Sequence, residues 1–164
     1  MATKAIPPVS TGFWLLKSEP ESYSIDALKK DSKTLWTGVR NYLARNFMTD
    51  SMKPGDKVLF YHSNADPSAV VGTAEVVRVG LPDPTALDAK SDYYDAKASK
   101  DHPIWFCSEI KFVSKFARPL SLEDLKSHKN LSAMSLLQKG QRLSVMQVSK
   151  KEFDFVCALA KSFK

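Results

Sequence analysis

Residues that build disulfide frameworks or metal sites are scarce in this sequence. It contains two cysteines, Cys107 and Cys157, and three histidines, all far apart along the 164 residues. Disulfide-stabilised domains and zinc sites need several such residues at short spacings. We therefore expect no disulfide framework, no metal and no cofactor. The two cysteines, each in an apolar stretch, are predicted to be buried free thiols in a reducing compartment.

Long apolar runs are also lacking. No stretch approaches the roughly 18 residues that a membrane span needs, and residues 1–12 contain no apolar segment typical of a signal peptide. We expect a protein without membrane contact that is cytoplasmic or, in a eukaryote, nuclear. Residues 1–12 are predicted to be a disordered tail and residues 13–164 a single domain, since this length suits one domain. A monomer is expected.

The positive charge is concentrated in the last third of the chain. The net charge is +6, but residues 1–110 carry 13 Lys and Arg against 14 Asp and Glu, whereas residues 111–164 carry 11 against 4. A basic segment in a small domain indicates an anionic partner, usually nucleic acid. Lysines that only keep the protein soluble would give the same totals, so charge alone leaves both interpretations open.

Apolar periodicity and turn residues predict an α+β fold built round a mixed, partly closed sheet. There is no Gly-rich phosphate loop, no internal repeat and no regular alternation of strands and helices. Gly72 is expected to mark a bulge or a close backbone approach. Strands are predicted at 13–19, within 52–64, and at 69–80, 104–117 and 142–148. Helices are predicted at 24–30, 38–48, from 121, at 131–140 and at 149–163.

Two local features are informative beyond this outline. Ser-x-x-Asp and Ser-x-x-Glu boxes at Ser121 and Ser149 predict capped helix starts, and Ser24 or Asp26 is expected to cap the helix over 24–30. Residues 80–103 contain three prolines and no periodicity, and such a long irregular link in a compact domain tends to be functional or mobile.

The stretch LWTGVRNYLARNF, residues 35–47, combines a large aromatic with arginines and asparagines. A helix over 38–48 would place four apolar side chains on one arc, which is the expected core face. These side chains are Val39, Tyr42, Leu43 and Phe47.

Trp36 precedes this predicted helix, at a point where backbone N–H groups lack partners. An aromatic ring beside free N–H donors and the Arg40 guanidinium can stack on a base and hydrogen-bond to its edge. Helix N-termini also suit phosphates. Core packing of Trp36, solvated charge on Arg40 and Arg45, and a local backbone hydrogen bond from Asn41 are alternatives that the sequence leaves open.

Two predicted strands end in polar residues. LLKSEP ends with Lys17, Ser18 and Glu19, and LFYHSN ends with Tyr61, His62, Ser63 and Asn64. Such strand ends often line pockets, and together with the start of the 38–48 helix they could converge on one site. A lone histidine is more often structural. A Lys17–Glu19 pair near His62 could instead support acid–base catalysis, but no nucleophile–base–orienter set is visible, so an enzyme is not expected. A small-molecule-binding or protein-binding domain is a third possibility.

Six segments together resemble the EVE domain: WLLKSEP, WTGVRNYLARNFM, MKPGDKVLFYHSN, VVGTAEVV, DYYD and KGQRLSVMQV. In this order they extend over nearly the whole chain from Phe13 onward. The EVE family is PUA-like, which implies a compact mixed β-barrel decorated with several α-helices. It is similar to the YTH domain, which binds N6-methyladenine in RNA.

This resemblance implies a nucleic-acid-binding module that accepts a flipped modified base, with 5-modified cytosine in DNA favoured. KSEP stands where YTH domains have a Lys-Ser pair that contacts the base, and Trp36 stands where they have the first cage tryptophan. The second cage aromatic is left open among Tyr93, Tyr94 and Trp105. Met146-Gln147 stands where relatives usually have Gln-Pro, which is expected to alter only packing.

The predicted site thus has two parts. Phosphate contacts are assigned to Arg40, Arg45 and Arg142. The residues assigned to the base pocket are Lys17, Ser18, Glu19, Trp36, Val39, Asn41, Tyr61, His62, Ser63, Tyr93 and Trp105. A buried methyl contributes only about 0.8 kcal/mol, so strong selectivity would need a hydrogen bond that the wrong base cannot satisfy. Candidates for this role are Ser18, Glu19, Asn41, His62 and Ser63.

Overall fold

The computed structural model describes residues 10–163. Residues 1–9 of the predicted tail, and Lys164, therefore lie outside the described part. Residues 11 and 12 are attached to the sheet: the Thr11 hydroxyl donates to the Val148 carbonyl at 2.7 Å, and the Gly12 carbonyl accepts from the Lys57 N–H at 3.0 Å. The tail and the domain boundary at residue 12 stay predictions.

The α+β class is confirmed, since residues 10–163 form one mixed, largely antiparallel sheet together with four α-helices. A π-helical turn, Phe47–Ser51, directly follows the α-helix Tyr42–Asn46. Within the described residues the chain forms six strands and four α-helices: β1 (Phe13–Ser18), α1 (Ile25–Asp31), β2 (Lys33–Trp36), α2 (Tyr42–Asn46), β3 (Lys57–His62), β4 (Ala69–Pro82), β5 (Phe106–Ser121), α3 (Leu122–Lys126), β6 (Val145–Gln147) and α4 (Lys150–Ser162).

The strands form one mixed sheet in the order β2-β5-β4-β3-β1-β6. β1 and β3 pair in parallel, with Lys17 opposite Tyr61 and Ser18 opposite His62. The other neighbours are antiparallel. Because β1 and β3 run the same way and in this register, their polar ends lie side by side.

The parallel pair is buried on both faces, which explains its continuous apolar runs. Trp14 and Leu16 pack into a cluster with residues of α1 and α2. Leu15, between them, packs into a second cluster with residues of α3 and α4. Successive side chains of a strand point to opposite faces, so the sheet separates two apolar cores.

Helix starts follow the predicted caps. The Ser24 hydroxyl accepts from the Ala27 N–H at 3.1 Å and caps α1. Both capping boxes are present, at Ser121 for α3 and at Ser149 for α4. Each cap satisfies a backbone donor that the helix leaves unpaired and stabilises the helix by about 1 kcal/mol.

Both alternatives for Gly72 are confirmed. The β4–β5 register slips between Val70 and Gly72, and a Cβ at this position would collide with the Ser114 carbonyl oxygen of β5. Only glycine permits this backbone approach.

The predicted helix over 38–48 is wrong at its start. Residues 33–36 form β2, an edge strand that the sequence did not indicate, and α2 begins only at Tyr42. Gly38 has a φ of +83°, and the Asn41 side chain accepts from the Ala44 N–H at 3.0 Å as the N-cap. The left-handed glycine and this cap delay the helix by four residues.

The later start changes which residues of this segment are buried. Ala44 and Met48 are buried, whereas Tyr42 and Leu43, predicted for the core face, are exposed. Val39 is buried as predicted, but it lies before the helix. The core-face prediction is therefore wrong for Tyr42 and Leu43, because Val39, which helped to define the predicted arc, is not part of the helix.

The helix predicted over 131–140 is also wrong. Two single 3-10 turns, Lys129–Leu131 and Ser135–Leu137, stand in its place. The Gln138 side chain donates to the carbonyls of Ser132 and Met134 at 2.9 and 3.1 Å. These bonds satisfy carbonyls that a continuous α-helix would otherwise pair.

Candidate functional site

A polar cleft opens where the parallel strands β1 and β3 end. Its volume is about 1130 Å³, and its walls come from the ends of these strands, the segment of β2 and the residues after it, Tyr23 and the loops before β5 and β6. The lining residues are Lys17, Ser18, Glu19, Ser22, Tyr23, Thr34, Leu35, Trp36, Thr37, Gly38, Val39, Ser63, Asn64, Tyr93, Arg142 and Ser144.

Eight of the fourteen predicted site residues line this cleft, and six do not. The eight are Lys17, Ser18, Glu19, Trp36, Val39, Ser63, Tyr93 and Arg142. The six that lie elsewhere are Arg40, Asn41, Arg45, Tyr61, His62 and Trp105. Their assignment to a binding site stays a prediction, but the structure gives each of these six another set of contacts.

The two strand ends are joined by hydrogen bonds beyond the sheet. The Ser63 N–H donates to the Ser18 carbonyl at 3.0 Å, and the Asn64 side-chain amide donates to Glu19 Oε1 at 3.4 Å. Sequence analysis left Asn64 out of the site list, although it ends the same LFYHSN stretch. The convergence of the two polar strand ends on one cleft is as predicted.

Trp36 forms part of the cleft wall and also packs in the core. Its side chain is 7% exposed, and its ring meets those of Tyr23 and Phe60 edge-on, at centroid distances of 6.5 and 5.3 Å. The two interpretations of Trp36 are thus compatible. Core packing on one side holds the indole rigid where another part of it borders the cleft.

Tyr93 lies against the backbone of Gly38. A Cβ on Gly38 would be 2.8 Å from Cε2 of the Tyr93 ring, and the positive φ of Gly38 also favours glycine. Tyr93 is the one candidate for the second aromatic that lines the cleft. Glycine at position 38 therefore allows this ring to close one side of the cleft.

Asp83, which sequence analysis missed, connects the two segments that carry Gly38 and Tyr93. Its buried carboxylate accepts from the Gly38 N–H at 2.8 Å and from Arg40 Nη1 at 3.0 Å through Oδ2. Its Oδ1 accepts from the Thr85 N–H and hydroxyl at 2.8 and 2.6 Å. Burial alone would raise the pKa of Asp83, but the hydrogen bonds from Thr85, Gly38 and Arg40 outweigh it and lower that pKa. The residues Asp83-Pro84-Thr85 are typical of a capped turn, which the structure contains at Pro84–Leu87. This local pattern does not predict the ion pair of Asp83 with Arg40.

The Arg40 guanidinium is engaged by partners within the protein. Its Nε and Nη2 donate to the Tyr93 carbonyl at 3.0 and 2.7 Å, and its Nη2 also donates to Thr85 Oγ1 at 3.1 Å. Its Nη1 donates to the Val39 carbonyl and to Asp83. These contacts hold the loop after β4 against the segment before α2.

Arg45, like Arg40, donates hydrogen bonds to other groups of the protein, whereas Arg142 is exposed at the cleft. Arg45 Nη1 donates to the Ile104 carbonyl at 2.9 Å, and its Nε and Nη2 donate to the Asn46 side chain. Arg142 is exposed at the cleft, and within residues 10–163 no carboxylate lies at ion-pair distance from it. Of the three predicted phosphate contacts, Arg142 has the most suitable position.

The remaining four predicted residues have structural contacts. Asn41 caps α2. The Trp105 indole N–H donates to Asp95 at 2.8 Å beneath the loop before β5. Tyr61 belongs to the second apolar core, and burial raises its pKa. His62 Nε2 accepts from the Ile25 N–H at 3.1 Å at the start of α1, and burial lowers its pKa.

Of residues 10–163, Lys17 and Arg142 are the two basic side chains that line the cleft. The Lys17 side chain is half-buried, and burial lowers its pKa. In the part of the chain that the structure describes, no carboxylate is within 4.0 Å of its ammonium group. The three donors of this ammonium group can form hydrogen bonds with acceptor atoms of a ligand in the cleft. The carbonyl oxygens and ring nitrogens of a nucleobase are acceptors of this kind.

A second cleft, of about 860 Å³, lies between β4, β5 and α4. It is mainly apolar and contains none of the predicted site residues. Cys157 lies in it half-buried, Cys107 is fully buried, and both are free thiols. Burial raises the pKa of Cys107 to about 12. The prediction of free thiols is confirmed, although Cys157 is only partly buried.

Within residues 10–163 no three His, Cys, Asp or Glu side chains are grouped so that they could hold a metal ion. Among the helices described, none is long and apolar enough to cross a membrane.

The chain is similar to several known proteins. The family model of the EVE domain matches residues 12–159. Thymocyte nuclear protein 1 of Gallus gallus is 39% identical in an alignment of 165 positions, which covers 89% of this chain and 67% of that protein. A crystal structure of a Pseudomonas syringae protein is 43% identical, with a TM-score of 0.87, and covers 90% of this chain and 99% of its own.

A further structure contains DNA. The crystal structure of human THYN1 protein in complex with 5-methylcytosine-containing DNA is 36% identical to this chain, with a TM-score of 0.81, over 91% of this chain and 97% of that one. The match of the family model over residues 12–159 and these identities confirm the family that the sequence segments indicated. The chain therefore belongs to the EVE domain family.

Proposed function

We propose that this protein binds nucleic acid and accepts a flipped modified base, with 5-modified cytosine in DNA favoured, in the cleft at the ends of β1 and β3. The observation that carries the proposal is the pairing of a rigid indole, Trp36, with an ammonium donor, Lys17, in one cleft. The DNA complex of the human THYN1 protein supports the choice of ligand.

The energies involved are compatible with this function. A base must leave the stack to enter the cleft, which costs a few kcal/mol. Stacking on an aromatic side chain returns roughly 1–3 kcal/mol per base, and a hydrogen bond from a charged donor such as Lys17 contributes roughly 1.5–3 kcal/mol. Arg142 at the cleft can add salt-dependent contact with the phosphate backbone.

Selectivity for the modification is expected to be moderate. A methyl group buried against Val39 or Trp36 contributes about 0.8 kcal/mol, which gives a several-fold preference. Among the residues that line the cleft, we assign the reading of the base edge to the hydroxyls of Ser18 and Ser63 and to the carboxylate of Glu19. The other two candidates for this role, Asn41 and His62, accept hydrogen bonds from the Ala44 and Ile25 N–H groups.

The test is a fluorescence-anisotropy titration with labelled single-stranded oligonucleotides. Each carries one cytosine, 5-methylcytosine, 5-hydroxymethylcytosine or N6-methyladenine. We expect one modified base to bind several-fold tighter than cytosine, and Trp36→Leu to remove that preference. Equal binding of all four, lost together when salt is raised, would contradict the proposal, because it would indicate a general electrostatic surface.

The enzyme alternative has less support. It requires His62 near Lys17 and Glu19, but His62 accepts the Ile25 N–H and does not line the cleft. The relatives reported above are not named for a catalytic activity. Incubation of the protein with modified nucleosides, followed by chromatography, should therefore give no product.

We also propose that the protein is a monomer. In a eukaryote we propose that it is nuclear, since the Gallus gallus relative is named thymocyte nuclear protein 1.

A further inference from the structure

Most of the large apolar side chains that are exposed belong to two short segments, one of which contains the cleft residue Tyr93. Among residues 10–163, five large apolar side chains are exposed, and one of them, Val113, lies on β5 in the apolar cleft. The other four occur as two pairs, with exposed fractions of 60% for Tyr42, 50% for Leu43, 45% for Tyr93 and 46% for Tyr94. Such a concentration on the surface of a small protein is typical of a binding site.

Tyr42 is held rigidly although it is largely exposed. Its ring stacks on that of Trp105 with a centroid distance of 4.9 Å and an interplanar angle of 21°. Trp105 is in turn fixed by its hydrogen bond to Asp95. The Arg45 guanidinium lies 4.7 Å from the centroid of the Tyr42 ring. An ordered, exposed ring loses little conformational freedom when a flat ligand stacks on it.

The Tyr42 ring is connected to the cleft by a row of packed groups. The Arg40 guanidinium lies 5.2 Å from the centroid of the Trp105 ring and 5.6 Å from that of the Tyr93 ring. Tyr93 itself lines the cleft. We call Tyr93, Arg40, Trp105 and Tyr42 the aromatic row. It leads from the cleft wall to an exposed ring on the adjoining surface.

We propose that Tyr42 is a stacking platform for a base next to the one in the cleft, so that the ligand is a nucleic acid in which both bases are unpaired. This inference rests on the proposed function. Every base has a π-face, so such a platform adds affinity without reading sequence. A protein partner is less suited, because the row is continuous with the cleft and combines planar rings with guanidinium groups.

The experiment compares a one-base ligand with a three-base ligand. The ligands are 5-methyl-2′-deoxycytidine and a trinucleotide with 5-methylcytosine in the middle, titrated by calorimetry against the parent, Tyr42→Leu and Tyr42→Phe. We expect Tyr42→Leu to weaken trinucleotide binding about 5- to 150-fold, equivalent to roughly 1–3 kcal/mol. Tyr42→Phe keeps a ring and should bind within about twofold of the parent. Nucleoside binding should be the same for all three proteins.

The possible results separate this inference from the proposed function. If the parent binds the nucleoside and Tyr42→Leu binds the trinucleotide as the parent does, the platform is refuted while the base pocket stands. Equal losses in Tyr42→Leu and Tyr42→Phe also refute it, since stacking needs only the ring. If the parent binds neither ligand, the proposed function fails and the platform with it. Circular dichroism of both variants checks that the fold is retained.

Discussion

Arg40 and Asp83, 43 residues apart in the chain, form an ion pair at 3.0 Å whose carboxylate is fully buried. The same carboxylate accepts the Gly38 N–H, and the same guanidinium donates to the Tyr93 carbonyl. One pair of side chains therefore sets the position of two cleft residues that come from different parts of the sequence. This is the structural role of an arginine that the sequence assigned to phosphate binding.

Removing the carboxylate should destabilise the protein. Asp83→Ala leaves the partly buried Arg40 without its counter-ion and the Gly38 N–H without a partner, so we expect a loss of about 3 kcal/mol in the free energy of unfolding. Urea unfolding of both proteins measures it. Asp92→Ala, an exposed aspartate in the same loop, is the control and should change stability by less than about 0.5 kcal/mol. Equal stability of the two variants would contradict the role of Asp83.

The contribution of Asp83 should depend on pH in the acid range. The pKa of its carboxyl is lowered in the folded protein from an ordinary value of 3.8. Its stabilisation is therefore complete above that ordinary value and is lost as the pH falls through the lowered one. The difference in unfolding free energy between the parent and Asp83→Asn should be constant near neutral pH and shrink below about pH 4. A difference that stays constant down to strongly acid pH would show that the charge contributes nothing.

Gly38→Ala should lower the stability of the protein by more than the strain of its positive φ alone, because the added Cβ would also collide with the Tyr93 ring. The new Cβ would meet the Tyr93 ring at 2.8 Å, and φ at this position is +83°. Gly140, with a φ of +78° and no atom near a new Cβ, isolates the backbone term, which is about 1–2 kcal/mol. We expect Gly38→Ala to lose more stability than Gly140→Ala and to weaken oligonucleotide binding.

Tyr93→Ala in the Gly38→Ala background tests the cause. Removal of the ring should recover the extra loss of stability but not the binding, since the ring belongs to the cleft wall. If Gly38→Ala and Gly140→Ala behave alike in thermal unfolding, the contact with Tyr93 is not significant.

Lys17→Met should separate binding from stability. Because no carboxylate of the described residues pairs with Lys17, its replacement leaves no unpaired anion, and the stability should change by less than about 1 kcal/mol. Loss of a hydrogen bond from a charged donor should weaken binding of the modified oligonucleotide roughly tenfold or more. Lys57→Met, in the apolar cleft, is the control and should bind as the parent does. A Lys17 variant with unchanged affinity would remove this residue from the site.

Much of the fold could be predicted because its signals are local. The apolar runs of β1 and β3, the serine caps of α1, α3 and α4, and the position of Gly72 follow from side-chain alternation, capping chemistry and backbone sterics. The family resemblance and the polar ends of two strands also pointed to the cleft that the structure contains. The strands and the helix caps depend mainly on residues that are close to one another in the sequence.

The helix expected over 38–48 and the one over 131–140 failed for a different reason. In each, the periodicity was present, but competing hydrogen bonds determined the backbone: Asn41 delayed α2, and Gln138 paired carbonyls of the second segment. Tyr42 and Leu43 were consequently assigned to the core, although they lie at the surface.

Long-range contacts decided which polar residues reach the cleft. Arg40, Trp105 and Tyr93 all looked like candidates, but the buried Asp83 carboxylate draws Arg40 inward, Asp95 holds Trp105 beneath the loop, and only Tyr93 reaches the cleft wall. These outcomes depend on which charges are buried together, and burial exists only once distant segments have packed. Local sequence patterns predict strands, caps and turns, whereas the pairing of buried polar groups is a property of the folded chain.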